Sequence, residues 1–276
     1  SIATELGSRI EGTLEHPVVV MNEDGQLMFK KLGELTEGEY VAMSRGANLY
    51  GHYTIVPSVE AAYLLGVLVG DGCMTIKDRI CVTTADREVL EAVQKAAQKY
   101  LGVSFVKTKS RPYDYGISSH QAKTILRSWG IEETYARNKR IPEWIRLAPK
   151  EFITAFLRGL FDADGSVERQ GSVTLSSASP ALINEVHSML LNIGIVARAY
   201  TRKKKYNGQI QGYLAVYGDF IELFNTEIGF TVVRKKDRLA RLIARQRNTN
   251  VNLIPNQQNA ISTVWKHAVA AEERDR

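Results

Sequence analysis

Two aspartates at matched places in a pair of similar nonapeptides are the residues of this sequence best suited to chemistry. Leu64-Leu65-Gly66-Val67-Leu68-Val69-Gly70-Asp71-Gly72 aligns with Leu157-Arg158-Gly159-Leu160-Phe161-Asp162-Ala163-Asp164-Gly165. In each, an apolar stretch suited to a helix ends at Asp-Gly. One Asp-Gly pair alone reads as a helix stop. Two of them, each behind a small-residue helix, point to a shared purpose. Gly66 and Gly70 share a helix face, as do Gly159 and Ala163, and neither face carries bulk. Glycine inside a helix costs about 1 kcal/mol relative to alanine, and close packing of two helix backbones is a reason to accept it. A parallel crossing would bring Asp71 and Asp164 side by side at the foot of the seam. Helix C-termini carry partial negative charge, so this place favours a divalent cation. Oxygen-only ligands suit Mg²⁺, with Mn²⁺ as a substitute. The expected metal site is Asp71 and Asp164 with Gly70 and Ala163 beside them, and the tight packing favours a shared ion.

Other chemistries fit these residues less well. Asp162-Ala163-Asp164-Gly165 has its glycine too early for a calcium loop. Gly66, Gly70 and Gly72 lack the dinucleotide-binding spacing. An aspartic-protease dyad would follow a strand, with Thr or Ser after the Asp.

The elements that must position the aspartates repeat along the chain. The offset 164 − 71 = 93 also places Val82-Thr83-Thr84-Ala85 on Leu175-Ser176-Ser177-Ala178, Leu90 on Ile183 and Val93 on Val186. With one residue of slippage, Leu101-Gly102-Val103 meets Ile193-Gly194-Ile195. Alternating strand formers follow each Asp-Gly. Amphipathic helices are predicted from Asp86 to Tyr100 and from Ser179 to Asn192, with Asp86 and Ser179 as N-caps. Two further strands (103–108 and 113–118; 195–201 and 211–217) and a last helix (120–129; 219–228) close each copy. Each half therefore reads as helix, hairpin, helix, hairpin, helix. Residues 10–44 read as short strands with turns, and 46–51 as a linker.

Composition bounds the partners. The chain has 276 residues, 44% hydrophobic and 24% charged, which is ordinary for a soluble globular protein. No apolar run approaches the roughly 20 residues of a membrane helix, and no signal-peptide pattern opens the sequence, so a cytoplasmic protein without membrane contact is expected. Cys73 and Cys81 sit apart from any zinc-site spacing and read as two small buried thiols. A net charge of +6 favours a polyanionic partner. The cations cluster: Arg202 to Lys205 form one block, and Arg234, Lys235, Lys236, Arg238, Arg241, Arg245 and Arg247 another.

The paired nonapeptides, within this repeat and element order, resemble the motifs of the LAGLIDADG homing endonucleases across about residues 60–230. Leu64 to Gly72 departs from the pattern at Val69 and Gly70. The resemblance implies an α+β fold of pseudo-symmetric tandem αββαββα repeats. It implies two antiparallel sheets saddled over the DNA major groove, and Mg²⁺-dependent cutting of both strands with short 3′ overhangs. Asp71 and Asp164 would be the catalytic carboxylates. Family members often carry Lys or Gln near the end of the first hairpin, where this sequence has Ala85 and Ala178, so a basic helper must come from elsewhere; His120 is a weak candidate.

The small β-rich N-terminal segment has its own resemblance. Gly12-Thr13-Leu14-Glu15-His16-Pro17-Val18 and Leu32 to Val41 resemble part of an intein splicing domain. No Cys opens the chain and no His-Asn pair occurs in it, so splicing by this chain alone is not expected.

The expected organisation is an intein-like segment and linker (1–51), two LAGLIDADG repeats (52–148 and 149–231) and a basic C-terminal extension (232–276). The expected partner is double-stranded DNA, bound by a monomer over a long, non-palindromic target. Expected DNA-facing residues are Lys107, Thr108, Lys109, Ser110, Arg111 and Tyr113 in the first half. In the second they are Arg198, Tyr200, Arg202, Lys203, Lys204, Lys205, Gln209 and Gln211, joined by Arg241 and Arg245. The alternative is a non-cleaving nucleic-acid-binding relative, a maturase or regulator, against which the presence of both aspartates argues.

Overall fold

The computed structural model describes residues 1–109, 111–204, 208–245 and 254–274, so Ser110, Lys205 and Arg247 lie outside the described residues. The chain forms two compact units, one of residues 1–44 with 249–276 and one of residues 45–248.

The first unit holds a two-stranded pair, β1 (Ile2–Ala3) and β2 (Arg9–Ile10), and a three-stranded sheet. In that sheet β3 (Pro17–Met21) lies between β4 (Leu27–Lys31) and β5 (Tyr40–Val41). Asn22 closes the β3–β4 turn by accepting the Asp24 and Gln26 amides on its side chain, an Asx turn. Val18, Val20 and Leu32 are its buried core.

The second unit carries the repeat. Its first half runs α1 (Val59–Asp71), β6 (Gly72–Cys73), β7 (Arg79–Thr83), α2 (Arg87–Leu101), β8 (Val106–Lys107), β9 (Asp114–Ser118) and α3 (His120–Ser128). Its second half runs α4 (Lys150–Asp164), β10 (Gly165–Glu168), β11 (Ser172–Ser177), α5 (Pro180–Ile193), β12 (Ala197–Lys203), β13 (Ile210–Val216) and α6 (Phe220–Glu227). Both halves build a four-stranded antiparallel sheet of the same order, β6-β7-β9-β8 and β10-β11-β13-β12. This is the expected α+β tandem repeat. A helix α7 (Val233–Ile243) follows, and α8 (Gln258–Arg274) belongs to the first unit. Among the described residues no helix is long and apolar enough to cross a membrane.

Strand alternation sets the two faces of each sheet. Ile80, Val82, Val173 and Leu175 point into the core, each at most 1% exposed. Arg79, Cys81, Thr83, Thr174 and Ser176 take the outer faces. One continuous core runs through both halves, with α1 and α4 at its centre.

Three local expectations are revised. The strand predicted over 103–108 is only β8, because the Gln94 side-chain amide takes both backbone groups of Phe105, at 2.7 and 2.8 Å. The N-cap role falls to Ser179, whose hydroxyl accepts from the Leu182 amide, but not to Asp86. The Asp86 carboxylate instead takes a bidentate pair from Arg234, both contacts at 2.8 Å. Finally, residues 46–51 are strapped to the end of α5: the Gly46 and Asn48 amides donate to the Leu191 and Asn192 carbonyls.

Candidate active site

Helices α1 and α4 cross where neither has a side chain. A Cβ placed on Gly66 would lie 2.0 Å from the Phe156 carbonyl oxygen, and one on Gly159 would lie 2.2 Å from that of Tyr63. One turn further on, a Cβ on Gly70 would meet the Ala163 Cβ at 2.6 Å and Asp164 Oδ2 at 3.3 Å. The predicted small-residue seam is therefore backbone against backbone, and it brings Asp164 against the residue preceding Asp71. Both helices end at these aspartates. The glycines that follow are in extended conformation, with φ of −82° at Gly72 and −84° at Gly165. They are needed for space, since a Cβ would sit 2.4 Å from the Leu68 carbonyl or 2.5 Å from that of Phe161.

Burial raises the proton affinity of both carboxyls. Burial, then the neighbouring Asp71 charge, pushes Asp164 up to about 7, against the pull of Lys139 and Lys235. Asp71 is raised as well, chiefly by burial, with the same two lysines opposing. Two ammonium groups thus do not offset the burial of the carboxyls. Hard oxygen donors of this kind fit Mg²⁺ or Mn²⁺.

The two lysines are the residues that the sequence reading missed. Lys139 reaches in from the segment after α3 and donates to the Gly70 and Gly72 carbonyls at 2.5 and 2.9 Å. Lys235, 4% exposed in the first turn of α7, donates to the Phe161 and Asp162 carbonyls at 3.0 and 2.6 Å. Each ammonium therefore sits at the C-terminal end of one seam helix, where a cation is stabilised. Burial lowers the pKa of both, against the attraction of nearby carboxylates. One signal was present: 139 − 71 = 68 and 235 − 164 = 71, so each lysine follows its aspartate at nearly the same distance.

A further acidic residue of the second nonapeptide is structural. Asp162, 2% exposed, accepts the Tyr63 hydroxyl at 2.8 Å and the Thr231 amide at 2.9 and 3.0 Å. It fixes the turn that delivers Lys235. Its counterpart Val69 has no side-chain acceptor for such a link in the first half.

Comparison with known proteins places this arrangement. Residues 58–130 and 151–229, more than half of the chain, match the sequence model of the LAGLIDADG-like domain. This chain belongs to the LAGLIDADG family. Curated relatives include the replication factor C small subunits of Methanocaldococcus jannaschii and Thermococcus kodakarensis. The first is 26% identical over 92% of this chain and 14% of its own length; the second is 27% identical over 95% and 29%. The replicative DNA helicase DnaB of Rhodothermus marinus is 27% identical over 92% of this chain and 29% of its own. The chain thus spans less than a third of the length of these relatives. Among solved structures, that of the homing endonuclease I-DmoI in complex with DNA and Ca has a TM-score of 0.47 and 20% identity, covering 66% of this chain and 97% of that one. The N-terminal LAGLIDADG domain of DUF199/WhiA has a TM-score of 0.40 and 17% identity, covering 68% and 90%.

The LAGLIDADG sheets sort the remaining expected residues. Arg198, Tyr200, Arg202, Gln211 and Tyr213 share the outer face of the second sheet, with Tyr200 opposite Tyr213 and Arg202 opposite Gln211. The two tyrosines stack at 5.4 Å, and the Arg202 guanidinium lies over both rings, 4.9 Å from Tyr200 and 5.8 Å from Tyr213. Lys203 is exposed at the end of β12, in the row of Ala197 and Ala199, which face the helices. Lys107 is exposed at the end of β8, paired with Tyr115 in the row of the buried Val82, while Val106 takes the outer face. The period-two pleat decides both, and the sequence hid it because these strands end in solvent. Lys109, Arg111 and Tyr113 are exposed in the turn between β8 and β9, and Lys204 and Gln209 close the β12–β13 hairpin. Arg241 and Arg245 are exposed at the end of α7, whose Leu239 and Leu242 are buried. Of the C-terminal cations, Lys235 is turned inward and Arg234 is engaged by Asp86. His120 pairs with Asp78 at 2.9 Å in the turn after β6. Among the described residues no group of three or more His, Cys, Asp or Glu could hold a metal.

Proposed function

We propose that this chain is a site-specific endonuclease for double-stranded DNA, acting as a monomer on a long, non-palindromic target with Mg²⁺ or Mn²⁺, on host DNA in the cytoplasm. The observation that carries the reading is the meeting of Asp71 and Asp164 at a glycine seam, with one buried lysine brought to the end of each seam helix. A divalent cation bound there supplies charge stabilisation to phosphate oxygens and a more acidic water. The two carboxylates provide the negative charge that would keep it, with the main chain of Gly70 and Ala163 alongside. Lys139 and Lys235 put fixed positive charge where a cleaved phosphate gains negative charge. Burial lowers the pKa of both, which makes each a readier proton donor than a free lysine. The outer sheet faces, with Tyr200, Arg202, Gln211 and Tyr213, would contact base edges, while Lys109, Arg111, Lys204, Arg241 and Arg245 would hold phosphates.

The relatives support a second element of the proposal. Similar segments occur in a replication factor C subunit, a helicase, an initiation factor, a gyrase subunit and a reductase, and cover 14% to 46% of those proteins. A segment shared by proteins with unrelated work behaves as an insertion. This reading is in line with the resemblance of the N-terminal strands to part of an intein splicing domain, and on it the chain would be an intein-type homing endonuclease.

Incubation with a randomised duplex library and Mg²⁺, followed by sequencing of cut and surviving DNA, tests the function. The intact chain should deplete one asymmetric site. Asp71→Asn and Asp164→Asn should keep DNA affinity and lose double-strand cutting. Nicking of one strand by each variant would show independent ions; loss on both strands in either would show a shared one. Binding without Mg²⁺-dependent scission would identify the non-cleaving regulator instead, and full cutting by the double Asn variant would overturn the assignment of the aspartates.

A further inference from the structure

Cys73 and Cys81 are the two cysteines of the sequence, and neither the seam nor the lysines use them. They stand directly opposite one another, since β6 and β7 are antiparallel with Cys73 paired to Cys81 and Gly72 to Val82. Val82 is wholly buried, so the alternation of strand side chains puts both thiols on the outer face of the sheet. Neither thiol is buried as the sequence suggested, because both take the outer face: Cys73 is exposed, Cys81 is half-buried, and both are free. Opposed residues of an antiparallel pair have Cα atoms about 4.5–5.5 Å apart, within the about 4.4–6.8 Å that a disulfide spans. Their Cβ atoms, at about 4.5–5.5 Å, need to close by about 1 Å to reach ordinary disulfide spacing. The surroundings allow this. β6 is a two-residue edge strand, and the next member of the row, Gly116, has no side chain to obstruct the pair. With no third ligand among the described residues, the pair is not a soft-metal site.

We propose that Cys73 and Cys81 form a reversible disulfide, a redox modification site at the edge of the catalytic seam. The oxidant is a small disulfide of the glutathione class. One cysteine thiolate attacks it, forming a mixed disulfide and releasing one glutathione thiolate. The second cysteine thiolate then attacks the protein sulfur, closes Cys73–Cys81 and releases the other glutathione. Two electrons pass to the oxidant, and the two thiol protons end on the two released thiols. Closure draws the start of β6 toward β7. Gly72 lies between Cys73 and Asp71, and its carbonyl is one of the two that hold Lys139. The oxidised form therefore loses part of that grip and cuts DNA more slowly, a consequence that rests on the endonuclease reading above.

The test treats the full chain with glutathione disulfide and measures free thiols, intact mass and Mg²⁺-dependent cleavage, before and after dithiothreitol. Both thiols should disappear together, with a mass lower by two hydrogens and no retained glutathione. Cleavage should fall severalfold and return on reduction. Cys73→Ser and Cys81→Ser should each keep a glutathione adduct instead. Wild-type protein that keeps adducts, keeps both thiols free, or forms the disulfide at an unchanged cleavage rate overturns the proposal. Should the reduced protein cut no duplex at all, the endonuclease reading fails, and the thiol count still decides the disulfide.

Discussion

Across the seam, the Tyr63 hydroxyl of α1 donates to the buried carboxylate of Asp162 in α4, at 2.8 Å. The same carboxylate accepts the Thr231 amide, ahead of Lys235. Replacing Asp162 by Asn removes an acceptor that serves several donors and should cost about 1–3 kcal/mol. Tyr63→Phe should cost less, because the carboxylate keeps its backbone donors. Denaturant unfolding of the two variants measures the difference. Cleavage by Asp162→Asn should fall as well, since the turn that delivers Lys235 loosens, while DNA affinity holds.

Lys139 and Lys235 should each be needed for cutting and not for binding. Methionine at either position keeps the stem and removes the charge. Each should lower the cleavage rate by roughly 10²–10⁴, the usual worth of a positioned proton-transfer group. Single-turnover rates on a supercoiled plasmid carrying the target would separate first-strand from second-strand loss. Equal rates for Lys235→Met and wild type would return that residue to a purely structural place.

The raised pKa of Asp164 predicts a stability slope. Its folded value of about 7 lies above the ordinary 3.8, so the folded protein binds a proton that the unfolded chain has lost over that interval. This contribution is complete below about pH 4 and is lost as pH rises through about 7. Metal-free protein should therefore weaken across this window, and Mg²⁺ should restore it most at the alkaline end. Urea midpoints against pH should show the slope in wild type and a flatter one in Asp164→Asn.

Gly66 and Gly116 should respond oppositely to alanine. At Gly66 the new methyl would meet a main-chain oxygen 2.0 Å away, and only separation of the helices relieves it. At Gly116 its nearest neighbours are side-chain atoms at 3.4 and 3.5 Å. Overpacking at the first should cost about 1–3 kcal/mol or more, and the second should change the unfolding midpoint little.

The repeat, the order of elements and the seam were legible because each is written locally. Glycines four apart, an alternation of valines and threonines, and a serine before a proline all act on their immediate neighbours. The lysines were not legible, since their role depends on which carbonyls lie at the end of a helix some 70 residues away in sequence. Lys139 stands beside Arg140, and Lys235 between Arg234 and Lys236, so composition showed only a basic stretch. The faces of Lys107 and Lys203 were hidden for another reason. A slip of one residue in register reverses a side chain, and exposed strand ends lack the buried partners that would fix the register in advance. Asp162 was hidden by its company, an acidic residue in a motif already explained by another.

Because the two helices touch through main-chain atoms at Gly66 and Gly159, the separation of the two aspartates is inherited from peptide geometry. It does not depend on the shapes of neighbouring side chains. Substitutions in the surrounding core can raise or lower stability while leaving that separation alone. The outer faces of the sheets sit on the same rigid spine and are free to drift. On the endonuclease reading proposed above, a lineage built this way would change what it recognises, residue by residue, without relearning how to cut.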